Sequence, residues 1–164
     1  MKKILTSICV TLTIFSAFSQ SNDKVNLTLD PASSKYSYTR VIDLSGYSKE
    51  ILRKAVQDII PVAARLTDTE DLLLYNNTLS LTGDAFATYF VRISFKDDKL
   101  RIETTDFNYD NRAWGFSAPQ KLETIDGKKL NKVIETINGR LEESFTNFKK
   151  KVDNNLRLTA TPDW

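Results

Sequence analysis

Two alternating segments in the middle of the chain constrain the fold more than any other feature. From residue 85 to residue 95 the odd-numbered positions are apolar or aromatic, and mostly polar residues fall between them. The run KDDK at 96–99 is typical of a turn, and Leu100, Ile102 and Thr104 continue the same pattern after it. A period of two predicts strands with one buried face. The sequence therefore predicts a β-hairpin that must be covered on one side.

Two segments with helical spacing can supply that cover. The longer runs from about Lys128 to Asp153, and its apolar stripe comprises Leu130, Ile134, Ile137, Leu141, Phe145, Phe148 and Val152. The stripe keeps its phase across Gly139, so one continuous helix is predicted although glycine costs roughly 1 kcal/mol in a helix. A shorter helix is predicted from Ser48, a residue type that caps helices, to Ile60 before Pro61.

The remaining segments complete an α+β architecture. Strands are predicted at 35–44, 72–75 and 78–82, with a turn at Asn76-Asn77 and a long irregular stretch at 108–126. The expected fold is an antiparallel sheet of about five strands, with one helix after the first strand and a long C-terminal helix packed on one face. We expect one α+β domain at 35–154, an exposed N-terminal arm at 20–34 and a tail at 155–164.

The N-terminus has the pattern of a cleavable signal peptide. Lys2 and Lys3 precede an uncharged apolar stretch that ends at Phe18, and Ala17-Phe18-Ser19 provides small residues before a cleavage point. A spanning helix needs roughly 20 mostly apolar residues, and this stretch is shorter and interrupted by Ser and Thr. Residues 1–19 are therefore predicted to be removed, which leaves a periplasmic or secreted protein without a stable membrane anchor.

Composition then excludes many kinds of chemistry. The chain has no histidine, and its single cysteine, Cys9, lies in the predicted signal peptide. The exported part would therefore lack thiolate and imidazole groups, which carry much hydrolytic, metal and haem chemistry. Lys2 and Lys3 account for the net charge of +2, so the exported part is formally neutral. Nucleic-acid binding needs a surplus of Lys and Arg, so it is not expected.

Three segments together resemble a known family. They are LSGYSKEILRKAV after the first strand, the hairpin YFVRISFKDDKLRIETTDF, and the long C-terminal helix. This combination, over roughly residues 36–153, resembles a domain-of-unknown-function family of small exported Bacteroidetes proteins with a TATA-box-binding-protein-like (TBP-like) fold. Thr105-Asp106-Phe107 is the most distinctive part, and Ile59 and Ile60 stand where family members often have an aromatic residue. The resemblance implies a fold and export, and it supplies no catalytic residues.

The strongest candidate for a functional surface is aromatic. Tyr109, Trp114 and Phe116 fall in a segment with no period to bury them, and exposed aromatic residues tend to mark interfaces. We expect this loop, at 108–119, or the open sheet face to bind a partner. The oxygen-rich segment 106–111 resembles part of a calcium loop, but its sixth and twelfth positions are Asn111 and Ser117 instead of Gly and Glu. The Asp and Asn residues of segment 106–111 are better explained by turn formation than by calcium binding. The same explanation applies to Asp97-Asp98.

The function expected from these observations is binding. The leading hypothesis is a non-enzymatic interaction or ligand-binding module of the cell envelope, whose partner is an envelope protein or a small ligand. No catalytic, cofactor-binding or metal-binding residue is predicted. The alternative is a carboxylate-based hydrolase of an envelope polymer, which requires two acids about 5 Å or 6.5–9.5 Å apart in a cleft. A purely structural envelope component is the third possibility.

Overall fold

The computed structural model of the chain describes residues 24–111 and 118–160. The predicted signal peptide, residues 20–23, the segment with Trp114 and Phe116, and the last four residues lie outside the described residues. The strands are β1 (Thr28–Asp30), β2 (Lys35–Asp43), β3 (Arg65–Asp68), β4 (Leu72–Ser80), β5 (Ala85–Lys96), β6 (Lys99–Asn111) and β7 (Gln120–Lys121). The helices are α1 (Lys49–Gln57) and α2 (Gly127–Ala160), and short 3-10 turns span Val62–Ala64 and Leu122–Thr124.

The seven described strands form an antiparallel sheet in the order β1-β2-β6-β5-β4-β3, and β7 pairs with the end of β6. β5 and β6 form the hairpin predicted from the alternation, and its buried positions are the expected ones up to Thr104. Both helices lie on one face of the sheet, where they contact each other and the central strands. The α+β fold class, with a long C-terminal helix over an antiparallel sheet, is confirmed.

Nearby residues explain where α1 begins and why α2 continues past its internal glycine. Ser48 has extended backbone angles, and its hydroxyl accepts a hydrogen bond from the N–H of Ile51, which caps α1 as predicted. α2 is one helix through Gly139, and its buried residues continue the apolar stripe to Leu156. Within the described part of the chain, neither helix combines the length and the apolarity that crossing a bilayer requires.

A β-bulge at Asp106 shifts the buried face of β6. Thr88 pairs with Asn108 and Phe90 with Thr105, so two residues of β6 lie opposite Tyr89 alone. Asp106 has a φ of 56°, the left-handed conformation that a bulge of this type needs. The buried positions of β6 are even-numbered before the bulge and odd-numbered after it, beginning with Phe107. The distinctive Thr-Asp-Phe motif is therefore the bulge itself.

The structure corrects three predictions about segment boundaries. Residues 24–30 are not an exposed arm: Val25 and Leu27 are buried, and β1 pairs with β2. The chain from 155 to 160 is not a tail, because α2 extends through it and buries Leu156. Asn76-Asn77 makes no turn, since β4 continues through both residues and pairs with β5 throughout.

Candidate functional site

A cavity of about 320 Å³ lies between the helix-covered face of the sheet, the end of α1 and the second half of α2. Its walls come from three strands (β4, β5 and β6), from α2 and from the segment that follows α1, and they are mainly apolar or aromatic. The residues around it are Ile59, Ile60, Pro61, Ala64, Tyr75, Asn76, Asn77, Tyr89, Val91, Ile93, Ile102, Thr104, Ser144, Phe145, Asn147, Phe148 and Lys151. No Asp or Glu is among them, so this cavity has no carboxylate of its own.

Asn77 and Tyr89 form a hydrogen-bonded polar pair in the lining of the cavity. Asn77 and Tyr89 are opposite each other on β4 and β5, and the Nδ2 of Asn77 donates a hydrogen bond to the Tyr89 hydroxyl at 2.8 Å. The ring of Tyr89 stacks on Phe107, with 5.0 Å between the ring centroids. Phe107 and the bulge that buries it therefore hold Tyr89 in place at the inner wall.

Burial raises the pKa of both tyrosines, which are already neutral at pH 7, further above their ordinary range. It raises the pKa of Tyr89 to about 12, against the opposing effect of the hydrogen bonds from Asn77 and Ser144. It also raises the pKa of Tyr75, whose phenol lies near that of Tyr89. The Tyr75 hydroxyl makes no hydrogen bond with another described residue. At neutral pH the cavity thus offers uncharged hydroxyl groups, one of them unengaged.

The rim of the cavity on α2 is polar and basic. Ser144, Asn147 and Lys151 lie there on successive turns of the helix. Lys151 is exposed, and no described carboxylate forms an ion pair with it. An apolar interior with a few convergent polar groups at one side is typical of small-molecule sites, which usually have volumes of about 300–1,000 Å³.

The structure describes one of the three aromatic residues proposed as a partner surface. Tyr109 lies in β6 and is 9% exposed, because the bulge turns it toward the core. Its hydroxyl accepts a hydrogen bond from Asn111 at 3.1 Å, and the Lys129 ammonium lies 5.6 Å from its ring centre. Tyr109 is thus a core residue at the edge of α2, away from the cavity. Trp114 and Phe116 lie outside the described residues, so their role stays a prediction.

The oxygen-rich segments are engaged in turns and ion pairs. Asp97 accepts a hydrogen bond from the N–H of Lys49 at 2.9 Å, and Asp98 accepts one from the N–H of Gly46 at 2.7 Å. These bonds fasten the β5–β6 turn to the start of α1. Asp106 pairs with Lys35 across the sheet. Within the described residues, no group of three or more carboxylates is placed to hold a metal ion.

Sequence reasoning missed Tyr75, Asn77 and Lys151. Leu73, Tyr75, Asn77, Leu79 and Leu81 alternate without a break, and that pattern would have shown one strand with an inward-facing Tyr-Asn pair. Asn76-Asn77 is a residue pair that favours turns, but the alternation around it is the stronger pattern, and the strand continues through both residues. The position of Lys151 follows from the packing angle of α2, which no local pattern indicates.

Comparison with known proteins supports the fold. No protein-family model matches the sequence, and no curated protein matches it. A TBP-like protein from Parabacteroides distasonis superposes with a TM-score of 0.59 at 16% identity, over 73% of this chain and 94% of that protein. A DUF4468 family protein from Bacteroides ovatus superposes with a TM-score of 0.55 at 11% identity, over 88% of this chain and 98% of that protein.

The TBP-like fold that the sequence resemblance implied is therefore confirmed. Both neighbours are Bacteroidetes proteins, and one carries a domain-of-unknown-function name, as the resemblance anticipated. At these identities the likeness shows the fold alone. The function must be argued from the residues of this chain.

Proposed function

We propose that this protein is an exported binding protein of the cell envelope that takes a small, mainly apolar molecule into the cavity between its sheet and helices. The observation that carries the proposal is the cavity of about 320 Å³ with apolar walls, two neutral tyrosines and a basic rim. The ligand would have an apolar body and one hydrogen-bond acceptor or anionic end.

The polar groups give that ligand an orientation. An acceptor group near Tyr75 would receive its unengaged hydroxyl proton, which otherwise has no partner among the described residues. Lys151 adds a positive charge at the mouth of the cavity, where a carboxylate could remain partly hydrated. Specificity in such a site comes from these few groups, because apolar walls distinguish ligands mainly by size and shape.

The hydrolase alternative has less support from this site. It requires two acids that face one substrate, and the lining of the cavity contains none. The carboxylates Glu142 and Asp153, which lie on the other side of α2, each pair with a cation. The apolar and uncharged polar groups around the cavity are sufficient for binding, so binding is the function that we propose.

A pair of simple probes tests the proposal. Octanoate and octanol share an apolar chain and differ in the charge of their end, and their binding can be followed by titration with two-dimensional NMR. We expect both to shift signals of the residues around the cavity, and octanoate to bind more tightly. If neither probe binds, or if the shifted residues lie elsewhere, the proposed site is wrong.

Two variants assign the polar groups. Tyr75→Phe should weaken both probes, whereas Lys151→Gln should weaken octanoate alone. Lys150→Gln is the matched control, because Lys150 is the neighbouring lysine and does not line the cavity. Equal losses in Lys150→Gln and Lys151→Gln would mean that general surface charge, and not this rim, attracts the anion.

A further inference from the structure

A second groove lies on the other side of α2, between that helix and the outer edge of β2. Its volume is about 660 Å³. The β2 side of the groove is formed by residues 40–43, and the helix side by residues between Glu142 and Arg157. The cavity and the groove share only Phe145, so the groove is a separate site.

The edge of β2 that borders this groove has backbone groups that no other described strand pairs. The N–H of Leu44 donates to the Asp98 carbonyl and that of Tyr36 to the Glu123 carboxylate, both on the β6 side of the strand. Because backbone groups alternate in direction along a strand, those of Thr39, Val41 and Asp43 point to the outer edge. β1 covers this edge only as far as Ser37. The N–H groups of Thr39 and Val41 therefore have no backbone partner among the described residues.

The opposite edge of the sheet is different. β3 carries a register shift between Arg65 and Thr67, and such bulges make an edge a poor template for another strand. β2 pairs with β6 in unbroken register from Tyr38 to Asp43, so its outer edge is regular. The outer edge of β2 beside the groove therefore keeps the regular geometry that an added strand needs.

The chain itself shows how an extended segment fits beside α2. The N–H of Val25 donates to Glu142 Oε2 at 2.8 Å, and the N–H of Leu27 donates to Asn138 Oδ1 at 3.0 Å. The side chains of Val25 and Leu27 are both buried. Glu142, which binds the N–H of Val25, also lines the groove, and the groove continues along α2 toward Arg157. It thus extends a track that already binds extended backbone.

The charges of the groove favour an acidic occupant. Its lining includes the cations Arg40, Lys149, Lys150 and Arg157, and the anions Asp43, Glu142 and Asp153. Arg40 pairs with Glu142 at 3.2 Å and Lys149 with Asp153 at 2.9 Å. Lys150 forms no ion pair with a described carboxylate. An incoming carboxylate would find this exposed ammonium at the outer side of the groove.

We propose that this groove binds an extended, acidic segment of another protein, which adds as a strand to the outer edge of β2. Backbone hydrogen bonds to Thr39 and Val41 supply affinity, apolar side chains of the segment enter between β2 and α2, and an acidic side chain meets Lys150. This is strand addition with side-chain selectivity, a recurring mode of peptide recognition. It makes the protein an adaptor for a partner in addition to a binder of small molecules.

A designed peptide tests the proposal directly. The probe is a fluorescein-labelled, terminally blocked peptide of sequence Val-Thr-Val-Thr-Asp-Thr, in which the apolar and acidic side chains share the face that would turn toward α2. Its counterpart has Lys in place of Asp. We expect saturable binding of the acidic peptide by fluorescence anisotropy and binding of the Lys peptide that is roughly tenfold weaker, as expected for losing one good charge contact. Absence of binding, or equal binding of both peptides, would overturn the proposal.

Variants of the edge distinguish strand addition from general adhesion. Val41→Pro removes an outward N–H that β6 does not use, and proline is tolerated at a strand edge on the solvent side. We expect it to lower affinity by roughly tenfold or more, while Val41→Thr, which keeps the N–H, binds like the native protein. Lys150→Glu should lower affinity for the acidic peptide and raise it for the Lys peptide. Unchanged affinity in both Val41→Pro and Lys150→Glu would exclude the groove.

Hydrogen exchange identifies the occupant. The amides of Thr39 and Val41 should exchange quickly in the free protein and slowly with the acidic peptide bound. Slow exchange in the dilute free protein would show that the chain covers its own edge. Slow exchange only at high protein concentration, lost in Val41→Pro, would show pairing of two copies. Either result would overturn the assignment to a partner segment.

Discussion

The layer between the sheet and the helices is packed at one end and hollow at the other. At the packed end Phe107 is fully buried against Tyr89, with Leu122, Ile137 and Leu141 also fully buried around the same part of the sheet. At the hollow end Tyr75 and Phe148 are only half-buried, and a cavity of about 320 Å³ remains. Close packing stabilises a fold through van der Waals contacts, and the atoms that line a cavity lack such contacts on one side. The packed end is therefore expected to carry stability and the hollow end binding.

The largest expected difference comes from removing a ring at each end. Phe107→Ala should lower the free energy of unfolding by about 3–5 kcal/mol, because it deletes a fully buried ring and opens a void. Phe148→Ala should cost roughly half of that or less, since this ring is partly solvated and already borders empty space. Urea denaturation of both variants measures the difference. Equal losses would mean that the hollow end is as tightly packed in solution as the other.

A pH titration addresses the residue that links the two ends. The pKa of Tyr89 is raised from 10.0 to about 12 in the folded protein, so the unfolded chain loses this proton first as pH rises. The free energy of unfolding should be unaffected by this group below pH 10 and fall by roughly 2 kcal/mol between pH 10 and 12. Tyr89→Phe removes this contribution, and urea denaturation at several pH values compares it with the native protein. Parallel curves above pH 10 would contradict the burial of the Tyr89 hydroxyl.

The bulge at Asp106 determines which residues reach the packed end. Asp106→Val should cost about 1–2 kcal/mol, because a β-branched residue is strained at a φ of 56°. Asp106→Asn loses the same charge but tolerates that backbone angle, so it is the matched control and should cost less. Thermal or urea denaturation measures both. If the two variants are equally destabilised, the pairing with Lys35 matters more than the backbone.

Local patterns predicted the elements that are regular, and they failed where the regularity is broken. The alternation of β5 and the stripe of α2 were sufficient for the hairpin and the long helix. The stripe even continues from Val152 to Leu156, four residues on, so the extension of α2 into the predicted tail was present in the sequence. β3 was missed because four residues with one bulge carry too little pattern to recognise.

Other features depend on contacts between distant residues. Val25 and Leu27 alternate as in a strand, but their N–H groups are satisfied by side chains more than a hundred residues away. Tyr109 is buried because the bulge at Asp106 moves the buried positions of β6 from even-numbered to odd-numbered residues. The alternation in the sequence therefore breaks before Tyr109, and the stretch from residue 108 was predicted to be irregular. The cavity could not be predicted, since it depends on how closely α2 approaches the sheet.

The smallest expected effect concerns Tyr75, and it tests the hollow end most specifically. Its hydroxyl has no partner among the described residues, so Tyr75→Phe should change the free energy of unfolding at neutral pH by no more than about 0.5 kcal/mol. Tyr89→Phe removes the acceptor of the Asn77 amide and should cost about 1–3 kcal/mol under the same conditions. Urea denaturation at pH 7 gives both values. A loss in Tyr75→Phe as large as that in Tyr89→Phe would show that the Tyr75 hydroxyl already serves the fold, and it would remove the unengaged donor on which ligand orientation depends.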